Sequence, residues 1–158
     1  MASLKNRKLL DKIEAKLNFK FNNRSLLQQA LTHKSFPNEN RELNLKDNER
    51  LEFLGDSVLS LTISTHIFKE YPDFPEGKLA KMRAFLVSAP TLATKARQLE
   101  LGSYILMGKG EEMTGGRKRD SILADTLEAL IGALYIDRDF EQASQFILDL
   151  FSADINKV

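Results

Sequence analysis

The stretch NERLEFLGDSVLSLTIS, Asn48 to Ser64, is apolar enough for the centre of a domain, yet it carries Glu49, Glu52 and Asp56. Read as a helix at 100° per residue, it places Leu51, Leu54, Val58 and Leu61 on one stripe that is expected to face a core. The steps from Glu49 to Glu52 and from Glu52 to Asp56 are helical ones, so the three acids share another face. No Lys or Arg stands on that face, because Arg50 points well away. Carboxylates set so close repel one another, and burying an unpaired ion is expensive.

A second segment repeats the problem. In SILADTLEALIGALYID, Ser121 to Asp137, the residues Leu123, Leu127, Leu130, Ile131 and Leu134 form a core stripe. Asp125 and Glu128 lie together on the opposite side, flanked by Ala129 and Gly132, whose small side chains allow another helix to come close. Two readings stand at this point. The acids are the solvated faces of two helices, as most helix acids are, or the two acidic faces meet around divalent cations. Oxygen-only ligands suit Mg²⁺, with Mn²⁺ as a substitute.

The rest of the chain sets bounds. Its 158 residues, 42% of them hydrophobic, suit a single globular domain, and a net charge of +1 confines any polyanion binding to local patches. The absence of cysteine excludes disulfides and thiolate chemistry, and two histidines, His33 and His66, make a zinc site unexpected. Both histidines are read as structural. No signal peptide or long apolar span is visible, so the expected location is cytoplasmic, with no membrane partner.

Helical periodicity recurs throughout. It predicts an amphipathic helix through Leu9, Ile13 and Leu17, and a second one capped by Asn22 or Asn23. Asp47 or Asn48 is expected to cap the long acidic helix, which YPDFPEG ends. Further helices follow over EGKLAKMRAFLV, from Ser88 and Pro90 onward, from about Ser121 to Ile136 and from about Phe140 to Ile155. PNENRELNLKD and GKGEEMTGGRKRD read as loops, the second a mobile one. No alternating strand pattern competes, so the expected fold class is all-α. Phe53 sits beside the acids and off the core stripe, either as a minor core contact or as an anchor into a partner.

NERLEFLGDSVL resembles the signature of the ribonuclease III family of double-stranded-RNA endonucleases. ALTHKS at Ala30 to Ser35, PEGKLAKMRA at Pro75 to Ala84, and GKGEE…GGRKRDSILADTLEALIGALYID resemble the family's other blocks, in the same order. The resemblance implies an all-α endonuclease domain over residues 1–158 that forms a two-fold homodimer and binds double-stranded RNA. It implies that Glu52, Asp56, Asp125 and Glu128 are the Mg²⁺-binding catalytic carboxylates, with Glu49 and Glu76 as secondary acids. Phe53 matches the aromatic that enters the partner subunit. The implied products carry 5′-phosphates, 3′-hydroxyls and short 3′ overhangs.

Lys109, Arg117, Lys118 and Arg119 cluster just before the second acidic helix, within reach of phosphates, and Lys78, Lys81 and Arg83 follow Glu76. Little base specificity is expected of such contacts to an RNA duplex. Bacterial members of the family carry a double-stranded-RNA-binding domain after the nuclease domain. None follows Val158, so the expectation is an isolated catalytic domain. Three rivals remain: an all-α nucleotide pyrophosphohydrolase, a non-catalytic RNA-binding or scaffold dimer that keeps the fold and, last, a purely structural helical bundle.

Overall fold

The computed structural model describes the backbone of residues 4–158 and side chains from residue 7 onward; Met1–Ser3 of the expected 1–158 domain lie outside the described residues. Among the described residues the architecture is all-α, as the periodicity predicts. In chain order the helices are α1 (Leu4–Leu17), α2 (Arg24–Ala30), α3 (Ser35–Glu39), α4 (Glu49–Glu70), α5 (Glu76–Leu86), α6 (Ala89–Gln98), α7 (Lys109–Met113), α8 (Asp120–Asp137) and α9 (Phe140–Ile155).

Helix α8 is the axis of the domain, with α2, α4, α6 and α9 packed around it. Its predicted stripe, Leu123 to Leu134, is buried, and so are Ala124, Ala129, Gly132 and Ala133. Each large aliphatic side chain withdrawn from water there contributes about 1.5–3 kcal/mol before entropy is counted. Two carboxylates anchor the surrounding elements. Asp137, at the end of α8, accepts the Asn22 and Asn23 backbone N–H groups, each at 2.8 Å, and so ties the start of α2 to α8. Asp139 caps α9 by accepting the Gln142 N–H at 2.8 Å.

Helices α4 and α8 make the most extensive contact in the molecule, and glycine is the reason. A Cβ on Gly55 would lie 1.6 Å from the Glu128 carbonyl oxygen, and one on Gly132 would lie 2.3 Å from the Leu51 carbonyl oxygen. The two backbones therefore touch where they cross. This orientation corrects the predicted α4 stripe. Leu51 and Val58 are buried, but Leu54 is half-buried and Leu61 is 56% exposed, while Leu59, Ile63 and Ile67 are buried in their place. The buried face is the one Gly55 opens to α8, and hydrophobicity alone does not reveal it. With Phe53 at 79% and Phe68 at 69% exposed, Leu61 forms an uncovered apolar line along α4.

Both expected loops contain helical turns. Ser35–Glu39 and a 3₁₀ turn at Arg41–Leu43 interrupt the first. The Gly-rich segment, expected to be mobile, forms α7 and a 3₁₀ turn at Gly116–Lys118. Glu39 explains its order: the carboxylate accepts the Lys109 and Gly110 backbone N–H groups at 2.7 and 3.1 Å, satisfying donors that α7 leaves open.

Candidate metal centre

The glycine crossing brings the two acidic faces together. One carboxylate oxygen from each of Glu52, Asp125 and Glu128 can be chosen so that all three lie within 4.8 Å of one another. The three side chains are half-buried. Among the described residues neither they nor Asp56 pairs with Lys, Arg or His. Asp56 lies one turn beyond Glu52, exposed at the margin and outside the tight trio, and its charge is the first electrostatic contributor acting on Glu128.

Protonation registers this crowding. Burial first, then the Asp56, Glu52 and Asp125 charges, push the Glu128 carboxyl up to about 8. Burial first, then the charge and close approach of the Asp125 carboxylate and the charges of Glu49 and Asp56, push Glu52 up to about 7. Asp125 is also raised, chiefly by burial. Without a cation the cluster thus holds protons near neutral pH. Half-buried oxygens converging from two helices, with no cationic side chain to balance them, fit a hard divalent ion.

The cleft beside the trio measures about 240 Å³ and is lined by His33, Lys34, Glu49, Glu111, Arg119 and Asp125, among others. Glu49 is exposed and pairs with Lys34 at 3.6 Å. Glu76 does not join the cluster; it borders a separate notch with Ser64, Ile67, Phe68, Leu79, Ala80 and Arg83. The expected phosphate-binding cations are placed unequally. Lys109 and Lys118 are exposed, and Arg119 reaches the cleft paired with Glu111. Arg117 is committed internally, donating to the Gly102 and Ile105 carbonyls at 2.9 and 2.7 Å and to Glu112 at 2.8 Å.

Expected caps are partly reassigned. Asn23 caps α2, but Asn48, at the start of α4, instead donates to the Ala30 carbonyl at 3.0 Å; Asp47 accepts the Glu49 N–H. His33, expected to be structural, lines the cleft; its position in ALTHKS, away from both acidic helices, carried no signal for this.

A helical domain whose two central helices share a half-buried carboxylate cluster is the class that fold and site define. The family model described as Ribonuclease-III-like matches residues 23–155. The chain is 51% identical to Ribonuclease 3 of Caldanaerobacter subterraneus subsp. tengcongensis over 95% of its own length and 65% of the relative's. It is 51% identical to Ribonuclease 3 of Desulforamulus reducens over 94% and 60%. The nuclease domain of ribonuclease III from Campylobacter jejuni matches with a TM-score of 0.85 at 42% identity, covering 91% of this chain and 96% of that one. Dicer from Pichia stipitis matches with a TM-score of 0.65 at 26% identity, over 87% and 58% of the two chains.

The chain belongs to the ribonuclease-III-like family and has the fold of its nuclease domain. It spans slightly under two thirds of the length of these two curated relatives. Family membership sets aside the pyrophosphohydrolase reading.

Proposed function

We propose that this chain is a divalent-metal-dependent endoribonuclease domain that cuts double-stranded RNA, leaving 5′-phosphates, 3′-hydroxyls and short 3′ overhangs. The observation that carries the proposal is the convergence of Glu52, Asp125 and Glu128 at the α4–α8 crossing without a cationic partner. These residues would hold Mg²⁺ or Mn²⁺, with Asp56 at the margin. When bound, the divalent ions supply the Lewis acidity that makes water a competent nucleophile and offsets charge on the departing 3′ oxygen. Glu52 and Glu128 must first release their protons, so loading should be favoured as pH rises toward about 7 and about 8. Lys109, Lys118 and Arg119 would meet the duplex phosphates: the two lysines are exposed, and Arg119 lines the cleft. Arg117 serves that surface by holding the loop, and Glu49 acts through its pairing with Lys34. No helix among the described residues is long and apolar enough to cross a membrane; action in the cytoplasm is part of the proposal.

The test is to incubate long uniform duplex RNA with the chain in Mg²⁺, in Ca²⁺ and in excess chelator, and to map the product ends. Short staggered duplexes formed only with Mg²⁺ are expected. Cleavage at a comparable rate in chelator would overturn the metal mechanism. Duplex binding without cleavage would favour the non-catalytic alternative.

A two-fold homodimer is part of this reading. Phe53, Leu61 and Phe68 expose an apolar line on α4, and Phe85 of α5 is exposed as well. The notch of about 170 Å³ bordered by Phe68, Leu79 and Glu76 offers a seat for a partner's aromatic ring. The solved Campylobacter jejuni nuclease domain is likewise described as having a region involved in dimer formation. Phe53→Ala is expected to raise the dimer dissociation constant by roughly 30-fold, the effect of a 2 kcal/mol anchor. An unchanged sedimentation profile at low micromolar concentration would sink this expectation.

A further inference from the structure

His33 is held in the cleft by hydrogen bonds that fall on one edge of its ring. The ring is carried on a short clamp in which Leu106 N–H donates to the Leu31 carbonyl at 2.8 Å and His33 N–H donates to the Leu106 carbonyl at 2.9 Å. On the imidazole, Nδ1 lies 2.7 Å from the Ser35 hydroxyl and accepts the Ser35 backbone N–H at 3.2 Å. The Ser35 hydroxyl in turn accepts the Gly108 N–H at 2.8 Å. A backbone N–H can only donate, so Nδ1 must offer a lone pair. In a neutral imidazole the proton then sits on Nε2.

Nε2 has no hydrogen-bond partner among the described residues, and the half-buried ring lines the cleft beside Glu49, Glu52, Glu111 and Asp125. A protonated Nε2 has no lone pair to give a metal, so His33 is not a further ligand of the acidic trio. It is an uncharged donor in a cleft where both cations, Lys34 and Arg119, are already paired with acids.

We propose that His33 positions the substrate: its Nε2–H donates to a non-bridging oxygen of the phosphate brought to the Glu52–Asp125–Glu128 cluster, and Ser35 fixes the tautomer that makes this possible. The proposal rests on the endonuclease reading. A neutral donor suits this place because an unpaired cation would compete with the divalent ions for the same carboxylates, whereas an N–H can orient a phosphate oxygen without doing so.

The first measurement is the nitrogen-15 spectrum of the imidazoles in the wild-type chain, with His66, the only other histidine, assigned through His66→Gln. The Nε2–H tautomer is expected for His33; an Nδ1–H tautomer overturns the proposal. The second is single-turnover cleavage of long uniform duplex RNA in Mg²⁺ at saturating enzyme. His33→Leu, which lacks the donor, is expected to slow the step roughly 10- to 100-fold, the range for a hydrogen bond to a charged group. His33→Gln, whose amide reaches the Nε2 position, should recover most of that loss.

The Mg²⁺ concentration for half-maximal cleavage should not change in either variant. A raised Mg²⁺ requirement would mean that His33 orients a carboxylate, and a wild-type rate for His33→Leu would mean that it does nothing; both overturn the proposal. Should His33→Leu fail to melt cooperatively, His33→Asn replaces it, since its shorter amide reaches only the Nδ1 position. It is expected to be as slow as His33→Leu, and a wild-type rate would overturn the proposal. A wild-type chain that leaves duplex RNA uncut overturns the endonuclease reading and this proposal together. An active wild type with an indifferent His33 overturns this proposal alone.

Discussion

Glu128→Gln is expected to lower duplex cleavage by roughly 10³-fold or more, beyond the 10²–10³-fold typical of losing a single oxyanion donor. The same substitution should make the metal-free chain more stable. Glu128 is half-buried, and its carboxyl is pushed up to about 8 by burial and by the neighbouring acids. In the unfolded chain an ordinary glutamate ionises near 4.5. Between those two values the native state binds more protons than the unfolded state, so stability falls as pH rises through this window and levels off above it. Glutamine removes the titration.

In chelator, Glu128→Gln and the parent chain should therefore melt closest together below pH 4.5, where the carboxyl is protonated in both states. The variant should pull ahead toward pH 8, by about 2–4 °C for each kcal/mol recovered at this chain length. Adding Mg²⁺ should reverse the order, because the parent gains a ligand that the variant binds poorly. A variant less stable than its parent at pH 8 in chelator would mean that the burial of this carboxyl is not what raises it.

Gly55→Ala is expected to be the most damaging small substitution in the chain. Its new methyl would lie 1.6 Å from the Glu128 carbonyl oxygen, and the obstacle is backbone rather than the tip of a flexible side chain. Helices α4 and α8 must then separate along their most extensive contact. The expected loss is about 3–5 kcal/mol, above the 1–3 kcal/mol usual for overpacking, and roughly 6–20 °C in melting temperature. Gly77 provides the control: it also lies in a helix, α5, but a Cβ there meets nothing within 4 Å. Gly77→Ala should be neutral or stabilising by up to about 1 kcal/mol. Cleavage by Gly55→Ala should drop even at temperatures where it is folded, since Glu52 moves with α4 while Asp125 and Glu128 stay with α8. Equal melting temperatures for the two alanine variants would refute the backbone-contact account.

The parts of this molecule that were legible in its sequence are those where one helix carries its own instruction. The α8 stripe, the Asn23 cap and the span of α9 follow from periodicity and end signals. The acids stood out because helices so apolar had no local reason to carry them. The rest was set by partners distant in sequence. Leu61 is apolar and correctly spaced, yet it faces outward, because Gly55 decides which side of α4 meets α8. The segment from Lys109 to Lys118 looks mobile until Glu39 caps its helix from α3. Arg117 reads as a surface cation until two carbonyls take its guanidinium. His33 shows no chemistry in its own neighbourhood, since the acids beside its ring come from α4 and α8.

The glycine crossing also has a bearing on the order in which this chain assembles. Glu52 and Asp125 are roughly seventy positions apart, and so are the strands of backbone clamped between Leu31 and Leu106, so neither contact forms without closing a long loop. In the denatured ensemble the acids are remote and hardly sense one another. Their mutual repulsion is felt only when α4 settles on α8, at the late, long-range stage of folding. Protons, or the divalent ions of the proposed mechanism, would act as counter-charges for that closing step and would thereby take part in making the domain.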